Sequence, residues 1–470
     1  MTLLDERPLA PTTSRVPGRP LPVVGAGRVV PLATGGTATY ADLDVAASAP
    51  ALRAVADAVA EALAWYASVH RGAGYASQVS TELLEQARAG VARFLGCRPG
   101  DQVVFTRNTT DAFALLAHCL PAGTTVVSYA SEHHANLLPW RAHAERGGRH
   151  VLLPVPRSPL AALDLLDAAL AGLPGPVLVS VTGASNVTGE LWPLEEIVAV
   201  ARRHGARVAV DAAQLAPHRG VDLAALGADW VAVSGHKLYA PYGAGVLAGR
   251  ADWLDAASPY LPGGGATTSV TARGQLWVTG PGRHEGGTPT VLGAVALAVA
   301  CAELEAVGLA ALQRREHALQ ARLEAALESV PGLTVHRLWG EAAQRIGVAT
   351  FTVDGWDPAL LATALSAEHG VGVRHGRFCA HPLVDALLGC EQPVTGCEDA
   401  ATGTAVRASI GVATTEADID ALAGGLRALA LDGPRAQYTR TSTGWAVAHD
   451  ARPPAAGIAA RILRRQTELL

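Results

Sequence analysis

The residue of clearest chemical interest is Lys237, because it is the only lysine among 37 basic residues and all the others are arginines. A guanidinium group is never neutral in a protein, whereas a lysine amine can lose its proton and attack a carbonyl carbon. Asp211 lies 26 residues earlier, and both residues follow short, mostly apolar runs, Arg207–Val210 and Trp230–Val233. Such runs are typical of buried strands, so we expect an amine and a carboxylate at one edge of a sheet.

Other polar groups follow other predicted strands. Thr109 and Thr110 precede a predicted helix at Ala112–Leu120. Hydroxyl and free N–H groups at a helix start form an anion site, although the threonines could instead be ordinary N-caps. His133 and His134 follow another strand, and their flat rings suit stacking on a cofactor or proton transfer; one of the two is expected to be structural or exposed.

A lysine near an anion site with an acid opposite is the arrangement that binds pyridoxal phosphate. The amine forms a Schiff base, and the acid keeps the pyridine nitrogen protonated so that the ring accepts electrons. Ser234 and His236 adjoin Lys237, and Asn186 lies on a loop after a further strand. The alternative for Lys237 is a surface lysine with no chemical role.

The elements that must position these residues alternate between strand and helix. Seven strand-like runs, from Val103–Phe105 to Gly245–Leu247, are separated in part by helical stretches such as Leu194–His204. This alternation predicts an α/β fold with a mostly parallel sheet covered by helices, which binds ligands beyond the C-terminal strand ends. No GxGxxG motif follows the first strand, which argues against a dinucleotide site.

The pattern changes near Ala302 to long helices, within Leu304–Val330, followed by strand–helix–strand units. We therefore expect a Pro-rich arm at residues 1–35, a large domain at 36–300 and a smaller domain at 301–432. An extension at 433–470 is expected to begin with a polar linker and to end in a short helix.

Composition excludes several classes of protein. With 49% hydrophobic and 17% charged residues the chain is not disordered, and a net charge of −5 gives no basic footprint for nucleic acid. The apolar run Val291–Cys301 is about half as long as a membrane span, and the N-terminus lacks a signal pattern. Six cysteines are too few for a disulfide scaffold, and Cys390, Cys397 and His381 match no zinc spacing. These features predict a soluble, cytoplasmic protein with no metal, nucleic-acid or membrane partner.

Several stretches together resemble the aminotransferase class V family of fold type I pyridoxal phosphate enzymes. Within that family they resemble the group II cysteine desulfurase and selenocysteine lyase branch. The resemblance runs from about Tyr40 to Ala430 and is specific through the order and spacing of its motifs. These motifs are Asp44–Pro50, Ser68–Gly72, Ser131–Trp140, Asp211–Gln214, Ser234–Gly243, Pro262–Gly265, Glu285–Pro289, Arg374–Ala380 and Arg407–Ser409.

The resemblance implies a homodimer with a large seven-stranded domain and a smaller C-terminal α+β domain. It implies that His133 stacks on the cofactor ring, that Asp211 contacts its nitrogen and that Gln214 contacts its phenolic oxygen. The implied phosphate ligands are Thr109, Thr110, Ser234 and His236, with Thr288 reaching the phosphate of the neighbouring subunit. The implied substrate-binding residues are Asn186, Arg374 and Arg407, and the implied catalytic residues are Lys237, His133 and Cys379.

Cys379 determines which reaction the resemblance implies. The family loop reads Arg-x-Gly-His-His-Cys-Ala, and here it reads Arg374-His-Gly-Arg-Phe-Cys-Ala380. A thiolate at Cys379 would attack the sulfur of bound L-cysteine, leave a persulfide and release alanine, and an acceptor protein could then take the sulfur. Arg377 is expected to favour the charged thiolate.

Three departures leave other readings open. Arg377 and Phe378 replace the two family histidines, and Val45 stands where the family has Asn or Ser. Cys379 could instead be a small buried apolar residue. The chain would then be a class V aminotransferase, an epimerase or a kynureninase-like lyase. A third reading is a degenerate relative that acts as a binding or assembly module.

Overall fold

The computed structural model describes residues 19–390, 403–442 and 444–464, so Cys397 and both outermost ends of the chain lie outside the described part. The helices of the described residues are α1 Arg53–Ala64, α2 Tyr75–Phe94, α3 Thr109–Cys119, α4 Leu138–Glu145, α5 Pro159–Leu170, α6 Leu194–Arg203, α7 Leu223–Leu226, α8 Ala251–Ala256, α9 Val291–Val307, α10 Leu309–Glu328, α11 Pro358–His369, α12 His381–Leu388, α13 Glu416–Asp432 and α14 Ala455–Arg464. The strands are β1 Val29–Pro31, β2 Thr37–Thr39, β3 Ala41–Asp42, β4 Gln102–Thr106, β5 Thr125–Tyr129, β6 Arg149–Leu153, β7 Val177–Thr182, β8 Arg207–Asp211, β9 Trp230–Ser234, β10 Gly245–Gly249, β11 Thr267–Thr271, β12 Gly274–Trp277, β13 Leu333–His336, β14 Val348–Val353, β15 Val371–Gly372, β16 Arg374–Gly376, β17 Ala405–Ser409, β18 Tyr438–Thr441 and β19 Gly444–Val447.

The larger sheet has seven strands in the order β4-β10-β9-β8-β7-β5-β6. Strands β6, β5, β7, β8 and β9 run parallel to one another, and β10 runs antiparallel to both of its neighbours. Most of its strands are buried along their whole length, as expected for a sheet with helices on both faces. The predicted mostly parallel, seven-stranded α/β sheet is confirmed.

The two faces of this sheet pack against separate hydrophobic cores. Val231 of β9 belongs to a core that includes Leu84 of α2 and Leu297 of α9. Trp230, its neighbour in β9, belongs to a second core with Phe113 of α3. Successive side chains in a strand point to opposite faces. Neighbouring apolar residues of β9 therefore pack against helices on both faces of the sheet.

The smaller sheet is antiparallel, in the order β13-β14-β17-β16. It packs on α10, α11 and α13 through a core that contains Phe351, Leu323 and Leu426. This arrangement confirms the smaller C-terminal α+β unit.

The long helices predicted around Leu304–Val330 are present, since α10 follows the end of α9 in this stretch. Helices α9 and α10 meet at Gly308 with a bend of 80°. Gly308 has φ of 87°, a left-handed conformation that glycine adopts without a Cβ clash. Within the described ranges, no single helix is both long and apolar enough to cross a membrane.

The described parts of both predicted terminal segments are more ordered than the sequence pattern suggested. Leu21 and Val23, within the predicted arm, are buried in the main core, and β1 pairs with β2. The predicted polar linker contains the hairpin β18–β19. Its pattern was missed because threonine, arginine and glycine fill half of the two strands.

Helix α11 fastens this hairpin to the smaller unit. The carboxylate of Glu368 accepts hydrogen bonds from the backbone N–H groups of Arg435 and Ala436 and from the Tyr438 hydroxyl. Trp445 donates its indole N–H to Asp357 at 2.9 Å. The hairpin is therefore an integral part of the fold.

Candidate active site

A cavity of about 230 Å³ lies where the parallel strands of the larger sheet end. Asp211 closes β8, Ser234 closes β9, and Lys237 follows one turn later. Parallel strands end at a common edge, which is why residues far apart in sequence converge here. The predicted site residues that line this cavity are Thr109, Thr110, His133, Asn186, Asp211, Gln214, Ser234, His236, Lys237, Arg374, Cys379 and Arg407.

Thr288 is the predicted site residue that does not line the cavity. It is exposed on the loop between β12 and α9 and lines a separate groove with Tyr260 and His284. Its predicted role at a neighbouring subunit's phosphate stays a prediction.

The amine of Lys237 and the carboxylate of Asp211 form the electrostatic centre of the cavity. Burial lowers the pKa of Lys237 to about 8, although Asp211 acts in the opposite direction. Burial likewise raises the pKa of Asp211, which accepts a hydrogen bond from the backbone N–H of Ala213 at 3.0 Å. The amine is thus poised to lose its proton close to neutral pH, and the surface alternative for Lys237 is wrong.

His133 contributes an uncharged ring to the cavity wall. Its Nδ1 accepts the backbone N–H of Ala135 at 3.0 Å, which places the proton of the neutral ring on Nε2. Burial, reinforced by the nearby Lys237, lowers the pKa of His133 to about 3. The ring is therefore neutral across the physiological pH range.

The start of α3 forms a cradle beside Ser234, and the N-cap is Asn108, whose side chain accepts the N–H of Asp111 at 3.0 Å. The alternative that Thr109 or Thr110 caps the helix is therefore wrong. The backbone N–H and the hydroxyl of Thr109 both lie within hydrogen-bond distance of the Ser234 hydroxyl. A Cβ at Gly245 would come within 2.5 Å of the Asn108 Cα, so glycine is required for α3 to begin this close to the sheet.

Gln214 and His236 complete the wall opposite α3. The Gln214 amide donates to the backbone carbonyl of Ala46 at 2.7 Å. His236 Nδ1 lies 3.3 Å from the Ser48 hydroxyl, and burial lowers the pKa of this histidine. Both contacts fix the segment around residues 46–48 against the strand ends.

Arg407 and Asn186 form a linked pair at the other end of the cavity. Arg407 Nη1 donates to the Asn186 carbonyl at 2.8 Å, and the Asn186 amide donates to the Phe378 carbonyl at 2.8 Å. The Arg407 guanidinium also lies 5.1 Å from the centroid of the Phe378 ring. Its Nε is buried without a hydrogen-bond partner among the described residues.

Cys379 is an exposed thiol on a tight turn that follows β16. Phe378 and Cys379 have φ of 50° and 54°, left-handed conformations that each cost a non-glycine residue about 1–2 kcal/mol. The backbone N–H of His134 donates to the Cys379 carbonyl at 2.7 Å, which holds the turn against the larger sheet. The alternative of a buried, purely structural Cys379 is wrong.

Arg377 is directed toward other partners. Its Nη1 lies 3.5 Å from the Asp385 carboxylate, and its Nε donates to the Gly403 carbonyl. The predicted stabilisation of a Cys379 thiolate by Arg377 has no direct contact to support it. Among the described residues, no group of histidine, cysteine and acidic side chains could hold a metal ion.

Two acidic residues of the site were missed by sequence reasoning. Asp44 lies 3.3 Å from Arg407 Nη2 and 3.9 Å from Arg374 Nη1. Glu132 is buried behind His133, where it accepts the backbone N–H of Thr182. Both lie within motifs used for the resemblance. The partners of Asp44 are distant in sequence, whereas Glu132 also accepts a hydrogen bond from the nearby Asn136 amide.

The fold and the cavity define a class of protein: an α/β enzyme whose cavity holds a poised amine, a buried acid, the start of a helix and an exposed thiol. Comparison with known proteins narrows that class. The family model described as "Aminotransferase class-V" matches residues 41–422. The chain belongs to the aminotransferase class V family.

Two similar relatives within the family are both cysteine desulfurases. The chain is 37% identical over 395 residues to a cysteine desulfurase of Klebsiella pneumoniae, covering 82% of this chain and 92% of that protein. It is 35% identical to a cysteine desulfurase of Synechococcus elongatus over 77% of this chain and 55% of that protein.

A solved structure of the cysteine desulfurase from Thermococcus onnurineus has a TM-score of 0.74 at 31% identity, covering 83% of this chain and 94% of that one. The Escherichia coli cysteine desulfurase CsdA has a TM-score of 0.71 at 31% identity over 82% and 94%. The chain is a cysteine desulfurase-like enzyme.

Proposed function

We propose that the enzyme transfers the sulfur atom of L-cysteine to Cys379 and releases L-alanine, with pyridoxal phosphate as its cofactor. The observation that carries this proposal is that one cavity is lined by the amine of Lys237, the thiol of Cys379 and the guanidinium of Arg407. These groups match the three parts of an amino-acid substrate that must be engaged: its amino end, its sulfur and its carboxylate.

The residues present fit pyridoxal phosphate. Asp211 would pair with the ring nitrogen, the neutral ring of His133 offers a flat face, and the α3 cradle would hold the phosphate next to Thr109 and Ser234. When bound, the cofactor supplies an electron sink beside the substrate Cα. Gln214 and His236 would close the remaining side of the cofactor site.

Lys237 would move protons at the substrate carbon atoms. With a pKa of about 8 caused by burial, its amine can accept a proton and return it near neutral pH. Arg407 would orient the substrate by pairing with its carboxylate, since this residue lines the cavity. Asn186 braces this guanidinium through its carbonyl oxygen.

Cys379 would accept the sulfur. Its thiolate attacks the substrate sulfur, so a sulfur–sulfur bond forms while the bond from sulfur to the substrate Cβ breaks. The electron pair of the broken bond stays with the carbon skeleton, which is protonated to give alanine. L-cysteine and an enzyme thiol thus give L-alanine and an enzyme persulfide, and the step needs no external oxidant or reductant.

The position of Cys379 also supports onward transfer to a sulfur-acceptor protein. The residue is exposed, and besides the central cavity it lines a neighbouring groove together with His134 and Leu138. Leu138 is 48% exposed. An acceptor could approach the persulfide along this groove without passing the substrate.

The test compares the wild-type holoenzyme with C379A, using C390A as a matched control. Cys390 is a free cysteine eleven residues further along the chain that does not line the cavity. We expect C379A to lose persulfide formation and cysteine-dependent alanine release, with C390A unchanged. Alanine is measured by chromatography and the persulfide by mass spectrometry of the labelled peptide.

Other outcomes would favour other functions. Unaltered alanine release by C379A would contradict persulfide chemistry and favour an aminotransferase, epimerase or kynureninase-like lyase. Keto-acid production from other amino acids would identify which. A protein that acquires no visible absorbance with pyridoxal phosphate, in either wild type or K237A, would instead be a binding or assembly module.

A further inference from the structure

The substrate-carboxylate end of the cavity contains two arginines that face each other across neighbouring strands. Arg374 of β16 and Arg407 of β17 are directly paired in the register of the smaller sheet. Like charges directly opposite each other in a sheet destabilise it. Such a pair therefore needs a counter-charge or an anionic ligand.

Asp44 supplies that counter-charge from a different part of the chain. It follows β3 and lies 3.3 Å from Arg407 Nη2 and 3.9 Å from Arg374 Nη1. Its backbone is held by a bridge to Ser409 at the end of β17. The carboxylate is half-buried, and burial raises its pKa, although the two arginines act in the opposite direction by favouring its charged form.

The charges at this end of the cavity can then be counted. Two guanidinium groups and one carboxylate leave one net positive charge, enough to balance a single substrate carboxylate. Without Asp44 the same place would hold two positive charges and would suit a ligand with two carboxylates.

We propose that Asp44 is a specificity-determining residue, which reserves the site for amino acids with one carboxylate by neutralising one of the two facing arginines. The inference rests on the proposed function, because it assigns Arg407 and Arg374 to the substrate carboxylate. Asp44 acts on the substrate through these arginines and needs no direct contact with it.

The test replaces Asp44 with asparagine, which keeps the shape and an oxygen acceptor for Arg407 but removes the charge. Propionate and succinate serve as probes, since they carry one and two carboxylates and no amine. Each is titrated against the holoenzyme for its ability to slow alkylation of Cys379 by iodoacetamide, followed by mass spectrometry. The same two acids are also tested as competitors of L-cysteine in the alanine assay.

We expect D44N to bind succinate about tenfold more tightly relative to propionate than the wild type does, the order of effect for one unscreened charge nearby. The matched control is D42N, which removes the same charge two residues earlier, where Asp42 accepts the Asp44 N–H and has no ion pair with either arginine in the described structure. The control should leave the succinate preference at its wild-type value.

An unchanged or reduced succinate preference in D44N would overturn the proposal, and so would an equal shift in D42N. Weaker binding of both acids by D44N would show that Asp44 only positions Arg407. The alkylation assay needs no turnover, so a failure of the proposed desulfurase function would appear in the alanine assay alone.

Discussion

Lys237 owes its chemistry to its surroundings. Its amine is enclosed at the end of β9, where burial lowers its pKa to about 8 against the pull of Asp211. An ordinary lysine has a pKa of about 10.4 and is almost entirely protonated at neutral pH. The same side chain on the surface would be a poor nucleophile.

The pH dependence of cofactor capture by the apoenzyme tests the lowered pKa of Lys237. A lowered lysine pKa means that the neutral, reactive amine accumulates as pH rises and is complete above the folded pKa. The capture rate should rise about tenfold per pH unit below pH 8 and level off above it. Stopped-flow visible absorbance measures the rate, and reduction with borohydride followed by peptide mapping confirms attachment at Lys237. A rate that still climbs steeply between pH 9 and 10 would contradict the lowered pKa.

At the level of elements, α11 links the C-terminal extension to the smaller sheet. Glu368 of this helix accepts two backbone N–H groups and the Tyr438 hydroxyl, and little of it is exposed. Removing this carboxylate leaves three partly buried donors without their protein partner. An unsatisfied buried donor costs about 1–3 kcal/mol.

We therefore expect E368A to lower the free energy of unfolding by about 2 kcal/mol or more, measured by urea denaturation. The matched control is E328A, because Glu328 is an exposed glutamate at the end of α10. Equal stability of the two variants would show that the hairpin adds nothing to the fold.

Sequence patterns were informative where a signal was local. Apolar runs followed by polar residues revealed the strand ends and hence Asp211, Ser234 and the site around Lys237. They failed where the decisive interaction was distant in sequence. Asp44 accepts a hydrogen bond from Arg407, which lies 363 residues away in the sequence, and no periodicity encodes that pairing.

Element boundaries were likewise missed where the decisive feature did not show in the local sequence pattern. Gly308 divides a helical pattern that looks continuous, because glycine is compatible with helical periodicity until its φ becomes positive. The hairpin β18–β19 lacks the apolar alternation of a half-buried strand. Its stability comes from polar contacts with Glu368 and Asp357, which only the folded helix α11 brings together.

At the level of the whole molecule, the position of Thr288 bears on assembly. In one chain it is exposed and lines a groove apart from the cavity of Lys237. If it completes the phosphate site of a neighbouring copy, as proposed, then each site of a homodimer is built from two chains. Two different inactive variants could then restore each other.

We expect mixtures of K237A and T288D, each inactive alone, to recover about one quarter of wild-type activity after subunit exchange, since half of the dimers are mixed and each has one intact site. The control mixes K237A with D211N, whose altered residues line the same cavity of one chain, and it should recover no activity. Alanine release from L-cysteine measures both. Absence of recovery with T288D, despite mixed dimers detected by native mass spectrometry, would contradict the shared site.

The solitary lysine has a consequence for handling the protein as well as for its chemistry. A lysine-specific endoproteinase has one target in the 470 residues, the bond between Lys237 and Leu238. Leu238 is only 1% exposed, so the folded protein shields that bond. Cleavage into two fragments of similar length therefore reports opening of the larger sheet. The rate of cleavage at this one bond measures how often the protein unfolds there.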